Sequence, residues 1–203
     1  KTPVISNVNE KLMKYFKEYL CVGGLPDVVN VFNLTHDLTQ VREIQQSILE
    51  SYKDDFGKHL NKEEVQEINQ TELTKIMQVY KSIPNQLAKE NKKFQYKLVA
   101  SNAKARSHNN AITWLEEFGL ICKCHNLNNL ELPLDGNKDE DTFKIYVTDT
   151  GLFVAMLEKG TVDNIINGDL KVYKGAIFEN IIADAFNKMD KDFLKTLGLD
   201  IND

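Results

Sequence analysis

The stretch from Ser82 to Ile121, SIPNQLAKENKKFQYKLVASNAKARSHNNAITWLEEFGLI, constrains the fold more than any other. Ser82 and Pro84 read as the entry to a short helix, a Lys-rich connection follows, and a longer helix runs up to Gly119. Leu120 and Ile121 then open a strand. Helix, turn, helix and strand is the order of a winged helix-turn-helix, whose second helix can lie in a DNA groove. Charge sharpens this. From Lys81 to His108 the chain carries seven cations against Glu90 alone, net +6, inside 203 residues whose net charge is −5. A local reversal of sign points to a partner and not to a reaction.

Upstream, apolar residues recur at steps of one, three and four, which predicts helices. Leu12, Tyr15, Phe16, Tyr19 and Leu20 form one stripe, stopped by Gly23 and Gly24. Pro26 opens a second helix through Val28, Val29 and Phe32. The GGLP between them lacks the Gly-x-x-x-x-Gly-Lys-Ser/Thr spacing of a phosphate cradle and reads as a helix–helix corner. Asp37 with Gln40 caps a third helix whose stripe is Leu38, Val41, Ile44, Ile48, Tyr52 and Phe56. Asp54 and Asp55 point about 100° apart on that helix, too divergent to share a metal or proton, and read as a solvated turn. Asn61 with Glu64 caps the next helix, through Val65, Ile68, Ile76, Met77 and Tyr80, with a break expected near Thr71.

In the longer helix, Ala111, Ile112, Leu115 and Phe118 make the expected buried stripe, with Trp114 beside Phe118 as a core residue. Lys104, Arg106, Asn109, Asn110 and Thr113 then face outward, preceded by Lys89, Lys92, Lys93 and Lys97. These nine are the candidate contacts to double-stranded DNA. Arg and Asn can bond a base edge through two points, whereas Lys supplies phosphate charge. The alternative is a plain solvated helix face.

Ile121 to Leu127 and Phe143 to Thr148 read as strands, the second alternating Phe143, Ile145 and Val147 with Lys144, Tyr146 and Thr148. Between them PLDGNKDEDT reads as a wing loop, and its Asp135, Asp139, Glu140 and Asp141 would repel phosphate. Asp149 caps a short helix. A last helix starts at Lys174 and runs through Ile181, Ile182, Ala183 and Phe186, before a tail from Asp190 to Asp203 of helical and turn character.

The expected class is mainly α with a small antiparallel β wing, a helical bundle plus a winged helix-turn-helix. Hydrophobic content of 42% with 27% charge suits a soluble globular chain. No apolar run is long enough to span a membrane, and KTPVISNVNE does not read as a signal peptide. Three cysteines, Cys21, Cys122 and Cys124, suit a reducing compartment, so a cytoplasmic location is expected. Cys122-Lys123-Cys124-His125 lacks the second ligand pair of a structural zinc site, and both cysteines read as core residues sharing a strand face. Neither a Ser/His/Asp set nor a His-x-x-x-His spacing occurs, so no catalytic residue, metal ligand or cofactor is expected.

Six blocks carry a resemblance: YLCVGGLPDVV, REIQQSILESYKDDFGKH, KSIPNQLAKENKKFQYKLV, AITWLEEFGLICKC, FKIYVTDTGLFVAML and YKGAIFENIIADAF. In this order and spacing they resemble the C-terminal region of prokaryotic AAA-type ATP-binding proteins, a domain of unknown function behind an ATPase module. The resemblance implies an ATP- and Mg²⁺-dependent parent that ends in a restriction-endonuclease-like fold. It divides the chain into a helical region over 1–60, a winged-helix-like domain over 61–160 and a truncated endonuclease-like start over 161–203. The ATPase phosphate loop is not in this sequence, so no ATP site carries over, and the chain reads as a fragment. Glu179 of GAIFEN would hold the endonuclease-like acidic position, but no Glu-x-Asp-Phe strand follows it. The expected function is a non-catalytic, DNA-binding module. The alternative is a module that docks on the ATPase or on a partner protein.

Overall fold

The computed structural model describes residues 3–60, 66–89 and 93–189. Helix α1 (Pro3–Val22) closes where the Gly23 N–H donates to the Tyr19 carbonyl at 2.8 Å, with Gly23 at φ +75°. Helix α2 (Pro26–Thr35) has Pro at its first position, where a missing N–H costs nothing. Helix α3 (Leu38–Leu60) is capped as expected, since Asp37 accepts from the Thr39 N–H at 2.7 Å and from the Gln40 amide at 3.2 Å. The Asn61–Glu64 cap, Val65, Lys92 and the tail from Asp190 lie outside the described residues, as do the side chains of Asp55, Phe56 and Ile68.

Helix α4 (Gln66–Ala88) corrects two expectations. It runs without a break through Thr71, and it continues through Ser82 and Pro84, so no separate short helix starts there. Ile76, Val79, Tyr80, Ile83 and Leu87 are all buried along it. That unbroken stripe outweighs the roughly 3 kcal/mol a mid-helix proline costs. Ser82 does not cap. Its hydroxyl donates back to the Val79 carbonyl at 2.8 Å and accepts from Gln86 at 2.9 Å.

A 3-10 turn (Tyr96–Leu98) leads to α5 (Ala105–Glu117), and Gly119 at φ +70° turns the chain into β1 (Ile121–Leu127). Strand β2 (Lys138–Val147) pairs antiparallel with it, Ile121 opposite Val147 and Leu127 opposite Lys138, with a bulge between His125 and Asn126. The wing is longer than expected. Lys138 to Asp141 belong to β2, and the loop is reduced to a 3-10 turn at Leu134–Asn137 and its flanks. Helices α6 (Thr150–Ala155), α7 (Thr161–Asn167) and α8 (Lys174–Lys188) complete the described chain. The protein is thus mostly helical with a two-stranded antiparallel sheet. Among the described residues no helix is long and apolar enough to cross a membrane.

One core cluster draws on Leu20 of α1, Ile76 and Ile83 of α4, Ile112 and Leu115 of α5, Val147 of β2, Phe153 of α6 and Ile177 of α8. Polar side chains tie the helix ends into it by taking carbonyls that have no partner within their own helix. Gln45 donates to Cys21 O at 2.8 Å, and Arg42 donates to the carbonyls of Ala155 at 3.2 Å and Leu157 at 3.0 Å beyond α6. Helix α8 covers one face of the sheet, which is why Tyr146, expected on an open face, is only 8% exposed. Asn180 is fully buried there. It accepts from the Val147 N–H at 2.9 Å and donates to the Val147 carbonyl at 3.0 Å. Asn180→Leu strands both backbone groups and is expected to cost about 2 kcal/mol, read as a lower urea midpoint.

Candidate nucleic-acid interface

Helix α5 presents two faces. His108, Ala111, Ile112 and Leu115 are buried, packed toward α4 and β1. Lys104, Arg106, Asn109 and Asn110 are exposed, and Thr113 is half-buried. Four of the five outward candidates therefore face solvent. The expected stripe fails at its end, because Phe118 is 44% exposed and stacks on a half-buried Trp114, ring centroids 3.9 Å apart. The first turn of α5 is held by backbone and hydroxyl, the Lys104 N–H donating to Ser107 Oγ at 3.3 Å. Ser107 Oγ also lies 2.8 Å from His108 Nδ1.

Of the candidates before α5, Lys89, Lys93 and Lys97 are exposed. Among the described residues none of Lys89, Lys93, Lys97, Lys104 and Arg106 forms an ion pair. Solvated cations with no carboxylate partner keep their counterions available for exchange against phosphate. The connection is stapled to the wing by the Phe94 N–H, which donates to the Phe143 carbonyl at 2.7 Å, and by the stacked Phe94 and Phe143 rings. This brings Lys93 to the acidic end of β2. The Thr142 hydroxyl is the first cause that holds the Asp139 carboxyl below its ordinary value, and the Lys93 charge contributes. One candidate cation is therefore partly answered within the chain. At the α5–β1 joint Glu116 accepts from Lys123, N–H at 3.3 Å and ammonium at 2.9 Å.

Two further junctions escaped the sequence reading. Asp149 caps α6 as expected, accepting from the Leu152 N–H at 2.8 Å, but it also accepts from the Gly24 N–H at 2.7 Å. The glycine pair and the Asp-Thr-Gly are thus halves of one joint, 125 residues apart in sequence. On α8, Glu179 meets Lys144 at 2.8 Å and the Tyr146 hydroxyl, so the acidic position suggested by the resemblance is occupied in packing the helix on β2. Cys122 is half-buried and Cys124 exposed, which corrects their reading as two core residues. Among the described residues no group of three His, Cys, Asp or Glu side chains could hold a metal ion.

Asp184, 1% exposed, lies 2.8 Å from Lys188 and accepts from the Thr150 hydroxyl at 3.4 Å. Burial pushes its carboxyl above the ordinary value, against the pull of that ammonium. A carboxyl raised on folding gives stability that is full below its unfolded value near 4 and is lost as pH rises through the folded one. The Tm of the parent chain relative to Asp184→Asn is expected to fall as pH rises above about 4, the ordinary carboxyl value. Parallel Tm curves would contradict this.

Residues 13–163 match the model of a family described as Domain of unknown function (DUF8612). No curated protein and no solved structure matches the chain.

Proposed function

The chain belongs to that family of unknown function, and on that premise we propose that it is a non-catalytic, winged-helix-like module that holds double-stranded DNA. The observation that carries this is the outward face of α5, where Lys104, Arg106, Asn109 and Asn110 stand exposed on a helix whose opposite side is core. Lys89 and Lys97, without an ion pair among the described residues, add phosphate-binding charge before it. The resemblance to AAA-type ATP-binding proteins supports a parent whose ATPase, with ATP and Mg²⁺, acts on the DNA this module holds. In that setting the module is cytoplasmic and itself needs no cofactor. The test is titration of a fluorescent duplex at rising salt. Binding that weakens with a slope of about −0.9 per phosphate contact is expected, and no salt-sensitive binding at low ionic strength overturns the proposal.

A second reading, a docking module for the ATPase or a partner protein, is favoured by the acidic strand. Asp139, Glu140 and Asp141 lie in β2 beside Lys93, and that mixture of signs suits a protein surface better than phosphate. Pulldown with the separate ATPase module decides it: a recovered complex without duplex binding favours this reading.

A further inference from the structure

Two helices leave apolar surface uncovered. In α1 the nine residues 7–15 are all exposed, on every side of the helix, so this half of α1 stands clear of the body as an arm. Val8, Leu12, Tyr15 and Tyr19 follow one another at steps of four, three and four, a single exposed stripe. In α8 the stripe is Phe178, Ile182 and Phe186, and no exposed residue between Lys174 and Lys188 is charged. Leu12, Tyr15, Ile182 and Phe186 are each 53 to 60% exposed. The rings of Phe16 and Phe178 meet, centroids 6.0 Å apart, so the two stripes adjoin. We propose that a second copy of this chain covers both, the arm of each copy lying along α8 of the other about a two-fold axis.

Three observations select a second copy. The first is charge. A helix face turned to water normally carries charged side chains, and their depletion marks the centre of a protein interface. The second is area. With Met13, eight large apolar side chains stand exposed on these two helices. At about half of the ~150–200 Å² that each carries, they present on the order of 600 Å² per copy. That is the upper end of what a monomer leaves in one patch, and it approaches the ~800 Å² a side of a stable interface. The third is reciprocity. A nine-residue helix without packing is marginal in water, so the arm needs a surface as much as α8 needs a cover. Residues 7–15 and residues 178–186 each rise about 12 Å, so one spans the other. A segment docked on α8 alone would leave the arm bare. Two copies exchanging arms cover both at once, in the self-complementary manner of a two-fold interface.

The test is sedimentation velocity of the 203-residue chain at rising concentration. A reversible dimer is expected by about 0.2 mM, above the micromolar affinity that even a weak interface of this size reaches. Leu12→Lys and Ile182→Glu each put a charge in the middle of one stripe, and both positions are exposed, so Tm is expected to hold. Each is expected to weaken the dimer about a hundredfold or more, because the charge loses its water on association. An equimolar mixture of the two variants is expected to recover it, since every arm then meets either an unaltered α8 or a charge of opposite sign. Leu130→Glu, on the exposed wing, is expected to change nothing. A monomer at every concentration, a dimer indifferent to Leu12→Lys and Ile182→Glu, or a mixture that stays monomeric would each overturn the exchange.

Discussion

Gly151→Ala is expected to cost more than about 3 kcal/mol and to abolish the cooperative urea transition of a marginally stable chain. The reason is a contact between two backbones. Gly151 sits in the first turn of α6, and a Cβ built on it meets Val22 O, lies 2.5 Å from Val22 C and 2.6 Å from Gly23 N. None of these atoms can swing aside as a side chain can, because Val22 and Gly23 form the end of α1 and its turn. Gly23 is held in place by its own hydrogen bond to Tyr19, at a positive φ that glycine alone takes up without strain. Relieving the clash means separating α1 from α6, and that breaks the hydrogen bond from Gly24 to Asp149. Gly175→Ala is the control. Nothing lies within 4 Å of a Cβ there, so it is expected to be neutral or stabilising by up to about 1 kcal/mol. Equal midpoints for the two variants would show that the α1–α6 contact does not limit stability.

That joint also marks where sequence reading stops. Steps of three and four along α1, α3 and α5 name the helices and the inward side of α5, because a helix exposes its period directly. Alternation named the core-facing residues of β2. Gly23 and Gly151 each look like an ordinary turn or helix-start residue. What makes them indispensable is a contact between segments more than a hundred residues apart, which no local pattern carries. Pro84 misled for the opposite reason. Its local preference to open a helix is real, yet the buried stripe on both sides of it decides the outcome. Tyr146 and Cys124 exchanged places for a similar cause: α8 covers Tyr146, while Cys124 lies where the strand is open. For the candidate site, the period placed Lys104, Arg106, Asn109 and Asn110 outward and overreached at Thr113 and Phe118. The closeness of Lys93 to Asp139 comes from the Phe94–Phe143 staple, a tertiary fact.

The outward cations make the second large prediction. Lys89, Lys97, Lys104 and Arg106 are exposed and unpaired among the described residues, so changing all four to Ala should leave Tm nearly unaltered. Lys93 is left out because Asp139 already draws on its charge. If each of the four neutralises one phosphate, together they contribute about 3.6 to the slope of log K against log salt, or about a hundredfold in affinity between 50 and 200 mM salt. The decisive measurement is that slope for the parent chain and the four-alanine variant on one fluorescent duplex. A slope shallower by about 3.6 in a folded variant is expected. An unchanged slope would contradict a DNA contact through α5 and the connection before it.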